Sequence, residues 1–467
     1  MKFNFKIFLF ILWGGLISCS SPMHESKLTD YINPLYRGNH INPSTTEIAL
    51  PFGSIRLSPH TLCGIQSLAL YPANCTKNDF NPQLHFIPFN KKDILFNQEY
   101  TKTKLSEYAK PGYYKAIYNT NEKTESAVTE HCCIMYYQYS STDSHGLLIN
   151  PSPSVSQDSI ITNLWMINPR KIEGFHRYTY KNKQQDLYFV VEFSQDCKII
   201  AGDKELHQTN GDEKFCAKNS SIYIVFKGES NRILVKCSIS SVNIEGAEAN
   251  LNKEISHWSF DKIEKDASLA WKKEVEKIKV QSKNQNHKSL FYNSLYYVLL
   301  SPNILSDING NYIGNDNKVH STNNYIHYNT YSDWEKENNL PFIFQALYRK
   351  RMRDILKSCQ KNLRYKTTND EILEDSLTKK CRSYVYQSLG LKSIQEGGNT
   401  IYIGIPKFEK ITLATARDKR FNIIVSKESA ESKTIKEIYL NKKHLAEPQI
   451  NLKDILRGGK LTLTTTE

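Results

Sequence analysis

The chain has 467 residues, of which 39% are apolar and 23% are charged. It is long enough for two or three domains and apolar enough to exclude a disordered protein. Its 61 Lys and Arg against 48 Asp and Glu give a net charge of +13, but the basic residues are spread along the chain. Nucleic-acid binding is therefore not indicated, because it requires basic residues clustered with aromatic ones on one element.

The first residues form an export signal. Lys2 and Lys6 precede the apolar run 7–13, and small or apolar residues follow up to Cys19. A basic start, a short apolar run and small residues before a cleavage point are typical of a secretory signal peptide, and this run is too short to span a bilayer. We therefore expect residues 1–19 to direct export.

The end of this signal resembles the bacterial lipobox. In Leu16-Ile17-Ser18-Cys19 the cysteine would become the acylated first residue of the mature protein. Acyl chains on Cys19 would anchor the protein to a membrane of the bacterial cell envelope, since each buried CH₂ contributes ~0.8 kcal/mol. The residues after Cys19 lack the acidic run that directs some lipoproteins to the outer surface, which favours the periplasmic side. The alternative is an ordinary signal peptide with an incidental cysteine.

From about residue 30 to 265 the sequence indicates a large antiparallel β-sandwich. Short runs rich in β-branched and aromatic residues, such as 113–118, 187–193 and 221–226, alternate with clusters of Asn, Gly, Ser and Lys. This pattern is typical of strands joined by turns, without helices between them.

The pattern changes at about residue 266. Apolar residues recur at helical spacing in four segments, 267–275, 288–300, 340–363 and 379–389, and the last is expected to end at Gly390. Strand patterns return after residue 402, with a hairpin turn at 441–443. After the signal we therefore predict a β-sandwich domain (30–265), a helical region (266–390) and a C-terminal β segment (391–467).

Nine cysteines follow Cys19, and none of them forms a Cys-x-x-Cys pair, so a structural zinc site is not indicated. An odd number leaves at least one thiol free or paired with another molecule. Cys63 with Cys75, and Cys197 with Cys216, could close loops. The sequence does not decide whether these thiols are bridged or free.

Three separated blocks of the sequence point to one family. The first is Asp30-Tyr31-Ile32-Asn33-Pro34 with Pro51-Phe52-Gly53 and the following residues to Pro59. The second runs through 291–320 to Tyr331-Ser332-Asp333-Trp334-Glu335, and the third through 384–408 to 438–461. In content and order these blocks resemble glycoside hydrolase family 92, the calcium-dependent exo-α-mannosidases.

The resemblance implies a β-sandwich joined to an (α/α)₆ barrel that holds a calcium ion and the catalytic carboxylates. Twelve helices of ~12 residues with ~5-residue loops need roughly 200 residues, whereas 266–390 contains only 125. We therefore expect a truncated remnant of the barrel, with the missing part between Phe344 and Asp375. No dependence on calcium is expected.

The resemblance also implies an inverting mechanism, in which one carboxyl group protonates the leaving oxygen and another activates a water molecule. The family's general acid falls in the missing part, so no residue takes that role. Glu374, Asp375 and Ser376 align with the family's base segment, and Ser376 stands where the family carries a carboxylate. A hydroxyl cannot take a proton from water unaided. Glu374 is the remaining candidate base, although an acidic first turn favoured by the helix dipole explains Glu374 and Asp375 at least as well.

Two further residues are candidates for sugar binding. Trp334 and Glu335 match the family's Trp-Asp pair that faces the sugar, although a core position is the alternative for Trp334. The 13 His show no i, i+4 metal pairs. We therefore expect His131 and His320 to be satisfied or surface residues and not metal ligands.

Together these features predict an α-mannosidase-like lipoprotein related to glycan degradation, with impaired or no catalytic activity. The alternative is a non-catalytic glycan-binding or structural lipoprotein of the cell envelope. The expected partners are a mannose-containing glycan and a membrane, and not nucleic acid.

Overall fold

The computed structural model describes most of the chain from residue 27 onwards. The described ranges are 27–38, 41, 43, 46–62, 65–73, 83–90, 103–141, 145–151, 159–180, 183–201, 204–206, 214–218, 222–228, 230–331, 341–364, 375–393, 398–415, 419–428 and 434–466.

Strands dominate the described residues up to 240. In chain order they are β1 (Ile55–Leu62), β2 (Ile65–Pro72), β3 (Leu84–Asn90), β4 (Lys104–Lys110), β5 (Tyr113–Tyr118), β6 (Lys123–Val128), β7 (Cys132–Gln138), β8 (His145–Pro151), β9 (Ser159–Asn168), β10 (Lys171–Tyr180), β11 (Lys183–Phe193), β12 (Cys197–Ala201), β13 (Lys204–Leu206), β14 (Lys214–Lys218), β15 (Ile222–Phe226) and β16 (Arg232–Ser240).

These strands form two antiparallel sheets. The seven-stranded sheet has the order β1-β2-β3-β8-β15-β12-β13, and the nine-stranded sheet has the order β14-β9-β10-β11-β16-β7-β6-β5-β4. Successive side chains of a strand point to opposite faces, as in β15, where Ile222, Ile224 and Phe226 are buried. The inward residues of both sheets share one hydrophobic core. The N-terminal half is therefore a β-sandwich.

Seven α-helices lie in the described residues. They are α1 (Ile244–Glu254), α2 (Phe260–Val275), α3 (Gln285–Leu299), α4 (Phe342–Leu347), α5 (Arg349–Arg364), α6 (Ser376–Leu389) and α7 (Leu452–Arg457). A second apolar cluster packs α1 and α2 on the outer face of the nine-stranded sheet, with Leu251 and Ile263 against Ile134 and Val190. Helix α3 is buried on all sides from Phe291 to Leu299, which is typical of a helix at the centre of a protein. None of the helices in the described ranges is long and apolar enough to cross a bilayer.

A six-stranded sheet contains most of the C-terminal strands. Its order is β17-β22-β23-β27-β24-β25, and only β23 and β27 run parallel. Two smaller sheets have the orders β18-β19 and β20-β21-β26. The strands are β17 (Ile278–Gln281), β18 (Asn311–Ile313), β19 (Val319–Ser321), β20 (Leu391–Ser393), β21 (Thr400–Ile403), β22 (Lys410–Ala414), β23 (Arg420–Lys427), β24 (Thr434–Leu440), β25 (Lys443–His444), β26 (Gln449–Asn451) and β27 (Gly459–Thr466).

The predicted mixture of β and α structure is confirmed, and so are several local predictions. Helix α6 ends at Gly390, which has a φ of 64°, and the hairpin turn has positive φ at Asn441 and Lys442. The segment 340–363 was predicted as one helix, but the chain breaks at Tyr348, where φ and ψ are −122° and 38°. The described helices do not identify a remnant of an (α/α)₆ barrel, so that part remains a prediction.

The prediction of β structure alone up to residue 265 was wrong, because α1 lies inside that range and α2 begins at Phe260. Helix α1 is preceded by Asn243, whose side chain accepts a hydrogen bond from the Gly246 amide at 2.8 Å. An asparagine in this position is a typical helix N-cap. The apolar stripe that follows it is short, so periodicity gave a weak signal.

Candidate functional site

Six of the residues singled out from the sequence lie outside the described residues, namely Cys19, Cys63, Cys75, Trp334, Glu335 and Glu374. Ser376 is described, and it is the exposed first residue of α6. The thiol of Cys197 is free and donates to the carbonyl of Pro169 at 3.2 Å. The suggested partner of Cys197, Cys216, lies on β14 in the other sheet of the sandwich.

Asp375 caps helix α6. Its Oδ1 accepts a hydrogen bond from the Thr378 amide at 3.0 Å, and its Oδ2 accepts one from the Thr378 hydroxyl at 2.6 Å. A carboxylate in this position satisfies an amide that has no partner within the helix. Both oxygens of Asp375 therefore hold the start of the helix, as the alternative explanation for the acidic first turn requires.

The chain that leads to Trp334 is held by helix α5. The Nε2 atom of His327 lies 3.0 Å from Oδ1 of Asn362, and Nδ2 of Asn362 donates to the Thr330 hydroxyl at 2.7 Å. The Tyr328 amide donates to the Ser358 hydroxyl at 2.9 Å. Ser358 and Asn362 share one face of α5, since they are four residues apart. Burial lowers the pKa of His327 to about 4, so its ring is neutral at ordinary pH.

Arg351 joins this segment to the sandwich. Its Nη1 donates to the Tyr328 hydroxyl at 3.0 Å, and its guanidinium carbon lies 4.6 Å from the centre of the Phe52 ring. Phe52 has a φ of 61°, and its amide donates to the carbonyl of Leu299 at the end of α3. The Pro-Phe-Gly block of the sequence therefore forms part of the contact between the sandwich and the helices.

A cluster of charged groups lies at the same junction. Nδ1 of His131 lies 2.5 Å from Oε1 of Glu254, and Nε2 lies 3.0 Å from the carbonyl oxygen of Ser306. The Thr129 hydroxyl and the His131 amide both donate to Oε2 of Glu254. Because both ring nitrogens face acceptors, the imidazole donates from both and is protonated.

The electrostatics of the cluster agree with this assignment. Burial lowers the pKa of His131, but the charge of Glu254 opposes it and the pKa is raised to about 9. Burial raises the pKa of Glu254, but the charge of His131 and the hydrogen bonds from His131 and Thr129 together outweigh burial, so the pKa is lowered. His131, just before β7, and Glu254, at the C-terminal end of α1, thus form an ion pair that is largely buried. The prediction that His131 is a satisfied residue is confirmed.

Glu130, His131 and Glu254 are close enough to suggest a metal site, because one ligand atom from each lies within 4.8 Å of the others. The donor set does not fit calcium, which takes six to eight oxygen ligands. His131 has no lone pair available for a metal while both its nitrogens donate hydrogen bonds. The carboxylate of Glu254 already accepts hydrogen bonds from His131 and Thr129. Of the three residues, Glu130 alone then offers a carboxylate that is not engaged with His131 or Thr129. No calcium chemistry can be assigned to these residues.

An open groove of about 450 Å³ lies elsewhere, between residues 27–35, strand β4 and helix α2. Of its two acidic residues, Asp30 and Glu107, the second accepts hydrogen bonds from Tyr114 and Lys104. Of the predicted base segment, Asp375 and Ser376 are described, and neither lines the groove. The described residues therefore do not connect the groove with the predicted site.

The ion pair of His131 with Glu254 could not be predicted from the sequence. The two residues are 123 positions apart, and Glu254 stands in a stretch where we predicted strands. The base segment of α6 and the Trp334 segment could be named only because the family resemblance identifies them.

Comparison with known proteins gives a consistent result. The family model "Glycosyl hydrolase family 92 N-terminal domain" matches residues 75–240. The model "Glycosyl hydrolase family 92 catalytic domain" matches residues 246–381 and 382–467. Together these matches cover most of the chain.

One curated relative is an uncharacterized secreted glycosidase from Arthroderma benhamiae. It is 25% identical over 266 residues, which are 50% of this chain and 32% of that protein. The chain thus spans about a third of the length of this curated relative.

Solved structures resemble the fold. The family GH92 α-mannosidase BT3965 from Bacteroides thetaiotaomicron has a TM-score of 0.78 at 15% identity, with 94% of each chain covered. Its complex with mannoimidazole has a TM-score of 0.77. The inverting mannosidase BT2199 from the same organism has a TM-score of 0.74 at 13% identity, covering 94% of this chain and 96% of that one. At these identities the likeness shows the fold alone.

Proposed function

The chain belongs to glycoside hydrolase family 92, and on that basis we propose that it is an α-mannosidase-like lipoprotein that has lost most or all of its ability to hydrolyse α-mannosides. The resemblance first seen in the three sequence blocks is confirmed by the family models. The loss of activity, the glycan and the anchor are the proposed parts.

The observation that carries the proposed loss of activity is the start of α6. Ser376 stands where the family has a carboxylate, and the neighbouring Asp375 uses both oxygens to cap the helix. Glu374 would be left as the sole carboxylate for the base role. Each lost acid or base typically costs 10²–10⁴ in rate, and no residue takes the part of the general acid.

The junction cluster does not supply a substitute pair of carboxylates. Glu254 is held as the partner of a protonated His131, with its pKa lowered, so it neither gives nor takes a proton near neutral pH. Glu130 is then a single carboxylate. Glycoside hydrolysis by either common route uses two. This arrangement supports the proposal of impaired chemistry.

Turnover of an aryl α-mannoside and of a mannobiose by the purified protein tests the proposal, with and without added calcium. We expect rates equal to those of buffer alone in every condition. The matched variant is Glu374→Gln. Turnover that this variant abolishes would overturn the proposal, because it would show that Glu374 still acts as the base. Turnover that survives the variant would overturn it as well, and would direct the search to another carboxylate.

We propose that a mannose-containing glycan remains the ligand of the chain. The support is the fold, which resembles a structure solved with mannoimidazole, and Trp334, which matches a sugar-facing position of the family. Titration calorimetry with mannobiose should show weak binding that Trp334→Ala removes. Tyr402, an exposed aromatic residue of β21, provides the control. Binding that Tyr402→Ala removes and Trp334→Ala does not would contradict the assignment.

The anchor is a separate proposal that rests on the lipobox. Mass spectrometry of the mature protein from the native host or a bacterial expression host should find Cys19 as the first residue, carrying acyl chains. A Cys19→Ser variant should be found unacylated and released from the membrane fraction. An unmodified Cys19, or cleavage at another bond, would contradict this proposal without affecting the other two.

A further inference from the structure

Two imidazole rings lie side by side on the seven-stranded sheet. His60 on β1 is paired with Ser67 on β2, and Ala69 on β2 is paired with His85 on β3. Paired residues, and residues two apart on one strand, share a face of a sheet. His60, Ser67 and His85 therefore lie on one face. The ring centroids of the two histidines are 5.3 Å apart, and their planes make an angle of 70°.

This face is the one turned away from the sandwich core. The alternate residues Leu57, Leu70 and Phe86 belong to the core, and the histidines occupy the opposite parity on the same strands. His85 is 1% exposed, whereas His60 is half-buried. The pair is therefore open to solvent on the side of His60 and closed on the side of His85.

Each ring has a buried nitrogen without a partner. Nδ1 of His60 and Nε2 of His85 are out of contact with water and make no hydrogen bond with the described part of the chain. Buried polar atoms are nearly always hydrogen-bonded, and each exception calls for an explanation such as a bound ion. Burial lowers the pKa of His60, and burial with the charge of His60 lowers that of His85 to about 4. Both rings are thus neutral near pH 7, the form in which imidazole binds metal ions.

Ser67 orients the inner ring. Its hydroxyl lies 3.4 Å from the carbonyl oxygen of His60, to which it can donate, and 3.1 Å from Nδ1 of His85. With the hydroxyl proton directed to that carbonyl, Nδ1 of His85 donates to Ser67 and Nε2 keeps its lone pair. A hydrogen bond from the remote nitrogen is how proteins fix the tautomer and direction of a histidine that binds a metal.

We propose that His60 and His85 bind one divalent transition-metal ion of the class that prefers imidazole, such as Zn²⁺, Ni²⁺ or Cu²⁺, with water completing its coordination. Two imidazole nitrogens at ~2 Å from a tetrahedral ion hold their ring centroids about 5 Å apart, which agrees with the observed separation. The site differs from the Glu130, His131 and Glu254 cluster, where the imidazole has no free lone pair. It is also independent of glycoside hydrolysis.

Metal uptake by the purified full chain, after removal of metals with a chelator, tests the proposal. Competition with a chromophoric chelator should reveal a Zn²⁺ site that His60→Ala weakens at least 100-fold. In the Cu²⁺-loaded protein, electron paramagnetic resonance should show hyperfine coupling to two imidazole nitrogens. The control is His444→Ala, which removes an exposed imidazole whose ring packs against Tyr439 and should change neither measurement.

Ser67→Ala separates a metal site from two histidines that merely pack. We expect the site to remain but its affinity to fall about 10–100-fold, because the tautomer of His85 is no longer fixed. His85→Ala should remove the second nitrogen from the Cu²⁺ spectrum, and circular dichroism will show whether that variant is folded. If His85→Ala is unfolded, the Cu²⁺ spectrum of His60→Ala is the test instead, and we expect it to show coupling to one imidazole nitrogen fewer than that of the parent. Unchanged affinity and spectrum in His60→Ala, or no Zn²⁺ bound by the parent at 100-fold excess, would overturn the proposal.

Discussion

The junction between the sandwich and the helices and the outer face of the seven-stranded sheet each contain a buried histidine, but the pKa of the two histidines is shifted in opposite directions. His131 is 3% exposed and His85 is 1% exposed, so burial does not distinguish them. At the junction, His131 meets a carboxylate and a carbonyl oxygen, and its pKa is raised to about 9. On the outer face, His85 meets a hydroxyl and another imidazole, and its pKa falls to about 4.

The partners of a buried imidazole, and not its depth of burial, therefore decide its charge. The junction continues this pattern beyond His131. The buried Asp307 accepts hydrogen bonds from Ser240 at 2.6 Å and from Asn250 at 2.8 Å. The polar groups there are paired across three segments of the chain. On the outer face, by contrast, His60 and His85 each have one ring nitrogen without a hydrogen-bond partner among the described residues. The two regions should therefore respond in opposite ways to substitution and to pH.

The largest effect is expected from removing the carboxylate of the junction pair. Glu254→Ala leaves a protonated imidazole buried without its counter-ion, which typically costs about 3–5 kcal/mol. Urea unfolding at pH 6, where His131 is protonated, measures the loss. The control is Glu248→Ala on the same helix, whose partner is Lys171 and whose side chain is 41% exposed. It should cost less than about 1 kcal/mol, and equal losses in the two variants would contradict the distinction.

The pH dependence of stability gives the next largest effect. The pKa of His131 is about 9 in the folded chain and ~6.5 when unfolded. Its contribution is therefore fully present below pH 6.5 and is lost as the pH rises through 9. The shift sets a ceiling of about 3 kcal/mol.

Urea unfolding of the parent and of His131→Gln between pH 6.5 and 9.5 measures this contribution as a difference, so that other groups titrating in this range cancel. We expect the two curves to converge as the pH rises. Parallel curves would show that His131 is not charged in the folded chain.

A third effect concerns how tightly the junction is packed. Gly246 lies in α1, where alanine would ordinarily stabilise the helix by about 1 kcal/mol. A Cβ atom at this position would overlap with Oδ2 of Asp307 and lie 2.9 Å from Oγ of Ser240. Gly246→Ala should therefore destabilise the protein by about 1–3 kcal/mol.

Gly404→Ala is the matched control for that substitution, because a Cβ atom there meets nothing within 4 Å. Thermal unfolding should place the melting temperature of Gly246→Ala below that of the parent and leave Gly404→Ala within a degree or two. A Gly246→Ala protein as stable as the parent would show that the Asp307 network yields to a methyl group.

Much of the fold could be predicted from the sequence where the determinants are local. The spacing of apolar residues in α3 and α6, Gly390 after α6, and the turn at 441–443 are features of consecutive residues. The pairing of β17 with β22 could not be predicted, because these strands are more than a hundred residues apart and short strands do not specify their neighbours. The three sequence blocks identified the family, which the periodicity of apolar residues could not do, and the family models confirm that identification.

The sites were harder to predict than the fold, for the same physical reason. His60 and His85 each look like an ordinary strand residue, and only the register of β1, β2 and β3 brings their rings together. His131 and Glu254 meet because α1 packs on the nine-stranded sheet. Trp334, Glu335 and Glu374 remain predictions from the family resemblance, since they lie outside the described residues.

The smallest effect at neutral pH is expected on the outer face, and it should grow in favour of the variant as the pH falls. His85→Leu removes a nitrogen that has no partner together with one hydrogen bond to Ser67, so at pH 8 we expect a change within about 1 kcal/mol. The pKa of His85 is about 4 in the folded chain and ~6.5 when unfolded. The neutral ring therefore contributes stability above pH 6.5 that is lost as the pH falls towards 4. Leucine has no such loss, so the stability of the variant relative to the parent should rise by up to about 2 kcal/mol between pH 6.5 and 5.

Urea unfolding with a chelator present, to exclude bound metal, measures the stability of both proteins against pH, and the curve of the exposed His444→Ala should run parallel to that of the parent. If His85→Leu also ran parallel, the contrast between the two histidines would fail, because His85 would then take up a proton in the folded chain as readily as in the unfolded one.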